Sequence, residues 1–163
     1  MKKIIVSDTS PLIALAKLDR LDLLLKLFSE IHIPKAVYLA ATCDRYRDDS
    51  QLIHHYVEQY VSVHNDCNDE NYKIFKAILD EGEAQALSLA TKMGCGVLID
   101  ERLGRLIARQ RAISCVGIMG VLLQAKYKGQ VQAVKPLIEQ LLQQNYRVSD
   151  KVIDLVLQKA GEL

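Results

Sequence analysis

The stretch KIIVSDTSPLIALAKL, residues 3–18, contains the strand-to-helix transition that decides the fold. Its first part, KIIVS at residues 3–7, is a short apolar run typical of a buried strand. Ser10 and Pro11 are typical of a helix start, with Ser as the N-cap and Pro at the first helical position, and apolar residues then recur at helical spacing. Asp8 lies between the two elements. We therefore predict an α/β unit with a carboxylate at its junction.

The rest of the chain repeats this alternation of strands and helices. Further strands are predicted at residues 31–33, 60–64, 96–100 and 113–117, with helices between them and only helices afterwards. The polar interval 43–51 is predicted to be a loop. This order predicts a three-layer α/β/α fold with a central, mostly parallel sheet of about four to five strands and a helical C-terminus. We find no linker and no internal repeat, so residues 1–163 are predicted to form a single domain.

Composition narrows the class of protein. Half of the 163 residues are apolar and a quarter are charged, which is enough to build a sizeable core. No apolar run approaches the roughly 20 residues that cross a bilayer, and we expect a cytoplasmic protein with no membrane partner. The four cysteines and four histidines show no metal-ligand spacing. Because the formal net charge is only +1, binding of a nucleic acid would depend on a local basic patch.

Three acidic residues occur where strands end or helices begin. Asp8 and Asp100 each follow a predicted strand, and Glu83 opens a helix. Parallel strands bring their carboxyl ends to one edge of the sheet, which is where ligands bind in this class of fold. Carboxylates gathered there repel one another unless a proton or a hard cation such as Mg²⁺ or Mn²⁺ relieves the repulsion. The pattern therefore indicates metal-dependent phosphate chemistry.

Each acidic residue also has a purely structural interpretation. Asp8 could end its strand and bond to local backbone. Glu83 could be the glutamate of a capping box that Asp80 begins, and Asp100 could be the N-cap of the helix that follows it. Only the shared position of all three at one edge of the sheet would favour a site.

Three arginines follow Asp100 at helical spacing. Arg102, Arg105 and Arg109 share one face of the predicted helix and could hold phosphates in bidentate fashion. The alternative is a solvated face on which Glu101 and Arg105 pair, which would contribute only about 0.3–0.5 kcal/mol.

At these residues the sequence resembles a known family. The segments SDTSPLIALAKLDRLDLL, IHIPKAVY, LDEGEAQALSLA, LIDERLGRLIA and GIMGVLLQAKYKG are similar to those of PIN-like domains. They are most like an uncharacterised branch with the SDTSP opening, which is similar to the ribonuclease toxins of bacterial toxin–antitoxin pairs. The resemblance runs nearly from end to end of the chain.

This resemblance implies a metal-dependent endoribonuclease that hydrolyses single-stranded RNA with Mg²⁺ or Mn²⁺. Asp8, Glu83 and Asp100 would take the acidic positions of the family, and Ser10 would supply the hydroxyl that supports the first of them, with Thr9 as a neighbouring hydrogen-bond donor. The implied partners are RNA and a small antitoxin protein that blocks the site, and such toxins are often homodimers.

The sequence departs from the family at one position. The glutamate expected three residues after Val37 is Ala40 here. Asp44, four residues later, is predicted to lie on the same helical face and could substitute. Without it, the chain could be a catalytically impaired module that binds RNA or an antitoxin without cleavage. A receiver-like signalling domain is a more distant alternative, because it needs adjacent acidic residues after the first strand and only Asp8 is present.

Overall fold

Five parallel strands form the centre of the molecule in this computed structural model, which describes residues 3–44 and 47–163. The strands are β1 (Ile4–Ser7), β2 (Glu30–Pro34), β3 (Val61–His64), β4 (Gly96–Leu98) and β5 (Cys115–Val116). Their spatial order is β3-β2-β1-β4-β5, so β1 lies in the middle between β2 and β4. The carboxyl ends of all five strands therefore meet at one edge.

Ten helices surround this sheet in the part of the chain that the structure describes. They are α1 (Thr9–Lys17), α2 (Leu23–Leu27), α3 (Lys35–Thr42), α4 (Asp48–Tyr60), α5 (Glu70–Lys76), α6 (Glu81–Met93), α7 (Arg102–Gln110), α8 (Ile118–Tyr127), α9 (Lys135–Gln143) and α10 (Asp150–Ala160). The order of strands and helices is the predicted one, and the three-layer α/β class is confirmed. That residues 1–163 form a single domain stays a prediction. No helix within the described ranges is both long enough and apolar enough to cross a membrane.

Neighbouring side chains of a strand point to opposite faces of the sheet, so the strands contribute to two core clusters, one on each face. Ile5, Ile31 and Ile33 belong to the larger core cluster, which includes residues of α1, α3 and α8. Val6 and Val97 belong to a second cluster with residues of α5, α6 and α7. The strands β1 and β4 are consequently apolar along most of their length, as expected for a parallel sheet with helices on both sides, whereas the edge strand β3 is partly exposed.

Two helix starts differ from the prediction. The first helix begins at Thr9, with Asp8 at the N-cap position, so Ser10 lies inside the first turn and is not the cap. The interval 43–51 is not wholly a loop, because α4 begins at Asp48. Two aspartates in the first turn of α4 favour this start, since negative charge is stabilised at a helix N-terminus. Residues 45 and 46 of this interval lie outside the described residues.

The last turn of the chain is held by one carboxylate. Glu162 accepts hydrogen bonds from the backbone N–H groups of Val134 at 2.8 Å and Lys135 at 2.9 Å. The Nζ of Lys126 lies 2.9 Å from the same carboxylate. Burial acts to raise the pKa of Glu162, but the hydrogen bonds from Val134 and Lys126 outweigh it and lower the pKa to about 2. The carboxylate thus links the C-terminus to the start of α9 and to α8.

Replacing Glu162 by Gln should lower the melting temperature at pH 7 by about 2–4 °C, because the charge-assisted hydrogen bonds to α9 and Lys126 are lost. Because the pKa of Glu162 is lower in the folded than in the unfolded protein, ionised Glu162 stabilises the fold at any pH above the unfolded pKa of 4.5. This stabilisation is lost as the pH falls from 4.5 towards the folded pKa of about 2. The difference between wild type and E162Q should therefore shrink over that interval in thermal unfolding followed by circular dichroism. Glu139→Gln, at an exposed position of α9, is the matched control. An equal effect of both variants would contradict this role.

Candidate active site

Asp8 lies at the centre of the carboxyl edge of the sheet. Its backbone N–H donates to the carbonyl of Leu98 at 2.9 Å, which continues the pairing of β1 with β4. The residue is only 5% exposed. This burial raises the pKa of the Asp8 carboxyl to about 6, against the opposing effect of the Thr9 N–H that donates to it, and the negative charges of Asp80 and Asp100 add to the increase. Asp8 is therefore a buried carboxylate whose charge is incompletely compensated.

The start of α6 is brought against Asp8 by a glycine. A Cβ on Gly82 would lie 3.3 Å from both Asp8 Oδ1 and Thr9 Oγ1, and 3.8 Å from Asp80 Oδ1. The side chain of Asp80 caps the helix by accepting from the Glu83 N–H at 2.8 Å, as predicted. Absence of a side chain at position 82 thus allows the N-terminus of α6 to approach β1 closely.

Glu83 adds a second perturbed carboxyl group. Its pKa is raised to about 8 by partial burial, then by the charges of Asp80 and Asp8, and by a hydrogen bond between the carboxyl groups of Asp80 and Glu83. Asp80 acts as the cap of a capping box. The Glu83 side chain, however, interacts with the carboxyl group of Asp80 and not with its backbone N–H, as a capping-box glutamate would. Asp8, Asp80 and Glu83 consequently share one region of negative potential.

Asp100 follows β4 and receives two hydrogen bonds. The Ile118 N–H donates to its Oδ1 at 2.7 Å, and the Tyr146 hydroxyl donates to its Oδ2. The interpretation of Asp100 as the N-cap of α7 is wrong, because Glu101 occupies that position and accepts from the Leu103 N–H. Burial raises the pKa of Asp100, whereas Tyr146, Ile118 and Arg105 oppose the increase.

A second glycine leaves room for the side chains of Asp100 and Arg105 beside the start of α8. A Cβ on Gly117 would lie 2.9 Å from Asp100 Oδ1 and 3.4 Å from Arg105 Nη1. Arg105 also has a buried Nε for which no hydrogen-bond partner is found among the described residues. Its guanidinium therefore retains unused donor capacity beside the carboxylate.

The structure brings Asp8, Glu83 and Asp100 to the same edge of the sheet, as the sequence predicts. Charge interactions link Asp8 to both of the others. Two further carboxylates, Asp80 and Glu101, act on this cluster, although the sequence pattern suggested only a cap and an ion pair for them. Asp80 immediately precedes the helix that Glu83 opens, and Glu101 directly follows Asp100. This closeness along the chain was the signal that could have identified them.

The donor chemistry of this cluster fits a hard cation, but the side chains are not closed around one. All five groups offer carboxylate oxygen, which suits Mg²⁺ or Mn²⁺. Within residues 3–44 and 47–163, however, no three His, Cys, Asp or Glu side chains stand close enough together to hold a metal ion. Asp100, for example, is turned towards α8 and Tyr146. Binding of an ion would require the side chains to reorient.

The remaining predicted site residues occupy different places. Thr9 is half-buried beside the start of α6, whereas Ser10 is exposed. Ala40 is exposed on α3, the helix that directly follows β2. The argument that Asp44 shares a helical face with Ala40 is wrong, because α3 ends at Thr42 and Asp44 lies beyond it. There its charge makes a small addition to the raised pKa of Arg47, whose main cause is the hydrogen bond between Arg47 and Asp49.

A groove of about 680 Å³ begins at Asp100. The predicted arginine stripe of α7 lies along it, together with residues of β5 and α8, of the connection between α9 and α10, and of α10 itself. Its cationic side chains are Arg102, Arg105, Arg109, Arg147 and Lys159. Its aliphatic side chains include Leu123, Val148, Val152, Leu155 and Val156. The nearly neutral chain therefore carries the local basic patch that binding of an anionic polymer needs.

Comparison with known proteins identifies relatives of this architecture. A family model described as DUF3368, PIN domain, matches residues 4–162. No curated protein matches the sequence. A PilT N-terminus domain protein from the hyperthermophilic archaeon Sulfolobus solfataricus is similar in structure with a TM-score of 0.51 and 12% identity, over 75% of this chain and 92% of that one. A domain of a functionally unknown protein from Methanocaldococcus jannaschii gives a TM-score of 0.47 and 19% identity, over 71% and 90% of the two chains.

Replacing Asp8 by Asn should stabilise the fold at neutral pH. The folded pKa of about 6 exceeds the model-peptide value of 3.8, so ionisation of Asp8 destabilises the native state progressively as the pH rises through that interval. Asn removes the charge and keeps an oxygen that can accept from Thr9, so we expect a gain of about 1–3 kcal/mol at pH 8. The gain should vanish near pH 4.

Urea unfolding at pH 4, 6 and 8 in the presence of EDTA measures this difference. Asp154→Asn, at an exposed position of α10, is the control and should show no comparable dependence on pH. A D8N variant that is less stable than wild type at every pH would refute the interpretation of Asp8 as an uncompensated buried charge.

Proposed function

The chain belongs to the PIN domain family, and from this membership we propose that it is a metal-dependent ribonuclease that hydrolyses phosphodiester bonds of single-stranded RNA. Members of the family are typically metal-dependent nucleases and generally use divalent metal ions. The observation that carries the proposal is the gathering of Asp8, Glu83 and Asp100 at the carboxyl edge of the sheet, where a basic groove begins. Repulsion among these carboxylates is the kind that a bound cation relieves.

In this proposal Asp8, Glu83 and Asp100 would hold Mg²⁺ or Mn²⁺. When bound, such an ion supplies a hydroxide from its water and stabilises negative charge on the phosphate and the leaving oxygen. The protein keeps the Asp8 carboxylate oriented through the Thr9 N–H and the Asp100 carboxylate through the Ile118 N–H. Half-burial of this edge lowers the local dielectric constant and strengthens each of these interactions.

Arginines of α7 would position the substrate. Arg102, Arg105 and Arg109 line the groove that leads to Asp100, and guanidinium groups bind phosphates in bidentate fashion. Arg105 is nearest to the cluster, and its buried Nε is a donor for which the structure shows no acceptor among the described residues.

The biological setting follows from the SDTSP opening. We propose that this ribonuclease is the toxin of a toxin–antitoxin pair, acts in the cytoplasm, and is inhibited by a small antitoxin protein that covers the site. A homodimer is the proposed assembly. The support for these points is the resemblance of the opening segment to the corresponding branch of PIN-like domains.

A second candidate function is favoured by Ala40. The side chain at this position is a methyl group exposed on α3. Asp44 lies past the end of that helix. Neither residue therefore supplies the carboxylate that is expected on α3. A chain with too few metal ligands would keep the fold and bind RNA or an antitoxin without cutting. This candidate differs from the first only in catalysis.

Cleavage of a mixed pool of labelled single-stranded RNAs in the presence of Mn²⁺ tests the first candidate. Wild type should cut the pool and EDTA should abolish cutting. Asp8→Asn should reduce the rate at least 100-fold, because an ion-holding carboxylate is lost, while circular dichroism shows an intact fold. Asp154→Asn should cut normally. Full activity of D8N would remove Asp8 from the mechanism, and a silent wild type would favour the second candidate.

Adding a carboxylate at position 40 separates the two candidates further. Ala40→Glu should tighten the Mn²⁺ dependence of cleavage several-fold, because the new group restores the carboxylate that the family places on this helix. Leu39→Glu adds the same charge at the adjacent exposed position of α3 and is the control. If wild type is silent and A40E cuts RNA, the impaired module is the correct description. Equal effects of both variants would contradict a specific role for a carboxylate at position 40.

A further inference from the structure

Exposed aliphatic side chains adjoin the arginines in the groove that begins at Asp100. Val152 and Leu155 of α10 line this groove and are 41% and 49% exposed. We propose that the groove binds an acidic amphipathic helix of a partner protein, with the apolar face of that helix against α10 and its carboxylates on the arginines of α7. The inference rests on the proposed function, because it gives the chemistry of a partner that would exclude RNA from the same arginines.

The charge of the groove is almost entirely of one sign. Its lining includes five cationic side chains, and Asp100 is the only acidic one among the described residues that line it. Asp100 also accepts hydrogen bonds from Ile118 and Tyr146, so its charge is partly offset. Within the described ranges, Arg102 and Arg109 form no ion pair with a carboxylate of the chain itself. A partner segment that carries carboxylates would therefore complement this surface.

The aliphatic part of the groove is one stripe of α10. Val152, Leu155, Val156 and Lys159 all line the groove and recur at i, i+3, i+4 and i+7, so they share one face of the helix. Val156 is buried, whereas Val152 and Leu155 remain open to solvent. Leu123 of α8 adds to the same lining. Adjacent exposed aliphatic side chains favour binding of a partner that removes them from water.

The type of apolar residue favours a protein segment over a nucleic acid base at this stripe. Unpaired bases typically stack on aromatic side chains. Tyr146 is the only aromatic side chain in the described lining of the groove, and its hydroxyl is bonded to Asp100. Aliphatic side chains are instead the surface on which the apolar face of an amphipathic helix packs. RNA thus accounts for the arginines of α7, but it does not account for the exposed stripe of α10.

The shape of the groove suits a helical ligand. Its volume of about 680 Å³ lies within the range of roughly 300–1,000 Å³ that is typical of binding pockets. Residues of α7 and α10 line it at helical spacing, and helices pack by placing rows of side chains of one between the rows of another. A helix beside α10 would place its apolar row against Val152 and Leu155 and turn an adjoining acidic face to α7. Arg102 and Arg109 would then be unavailable to RNA.

Fluorescence anisotropy of a synthetic helix tests the inference on the full chain in the presence of EDTA. The probe is a fluorescein-labelled peptide with leucine on one helical face, glutamate on the adjoining face and alanine elsewhere. Leu155→Ser should raise the dissociation constant of this peptide about tenfold, because the apolar contact is lost. Leu39→Ser changes a leucine of similar exposure on α3 and is the control. Binding of a labelled single-stranded RNA should change less than about twofold in both variants.

A second pair of variants tests the charged side of the groove. Arg109→Gln should weaken binding of the peptide and of the RNA several-fold, because carboxylates and phosphates both accept from guanidinium groups. Lys151→Gln, at an exposed position of α10 outside the groove lining, should weaken neither. Unlabelled peptide should also displace labelled RNA from wild type. Circular dichroism of each variant should show an intact fold, since Leu155 and Arg109 are both exposed.

Two further peptides show whether the acidic amphipathic pattern is what binds. A scrambled peptide of the same composition, and one with lysine in place of glutamate, should each bind at least about tenfold more weakly. Equal affinity for the scrambled peptide, or unchanged peptide binding in L155S, would overturn the inference. An equal loss of RNA binding in L155S would assign the stripe of α10 to RNA and would overturn it as well.

The inference and the proposed function fail separately. If wild type binds the acidic peptide with the expected loss in L155S but cuts no RNA, the ribonuclease proposal fails while the peptide site stands. If wild type cuts RNA and does not bind the acidic peptide, only the inference about the groove fails.

Discussion

Parallel pairing of β1 with β2 and β4 is the constraint on which the site depends. It places Asp8 at the centre of the sheet edge, and the Asp8 N–H continues the ladder by bonding to the Leu98 carbonyl. Asp100 lies two residues beyond Leu98 and therefore comes to the same edge. The helices cover both faces of the sheet, so this edge is where polar groups can gather without disrupting the core.

The cluster is assembled against electrostatic repulsion, and close backbone contacts make the assembly possible. Gly82 and Gly117 allow the starts of α6 and α8 to approach Asp8 and Asp100. Hydrogen bonds from Thr9 and Ile118 offset part of the charge, but the pKa values of both carboxyls remain raised by burial. Such a destabilised arrangement is typical of a functional site, where binding of a cation or ligand restores the lost stability.

Much of this arrangement could be predicted, and the differences have specific causes. Apolar runs located the central strands, because burial on both faces leaves a clear pattern, and alternation at residues 60–64 located β3. The start of α4 at Asp48 was missed because polar residues in a first turn resemble a loop. Asp44 was assigned to a helical face that ends before it. Asp80 was recognised only as a cap, since its effect on Glu83 depends on how α6 packs against β1.

The amino-acid sequence by itself determined the order of elements, the class of sheet and the convergence of Asp8, Glu83 and Asp100. These follow from local periodicity and from the rule that parallel strands end at one edge. Only the tertiary structure decided that Asp100 turns towards Ile118 and Tyr146, and that a groove joins α7 to α10. The physical reason is that contacts between residues far apart in the chain depend on packing of the C-terminal helices, which no local pattern encodes.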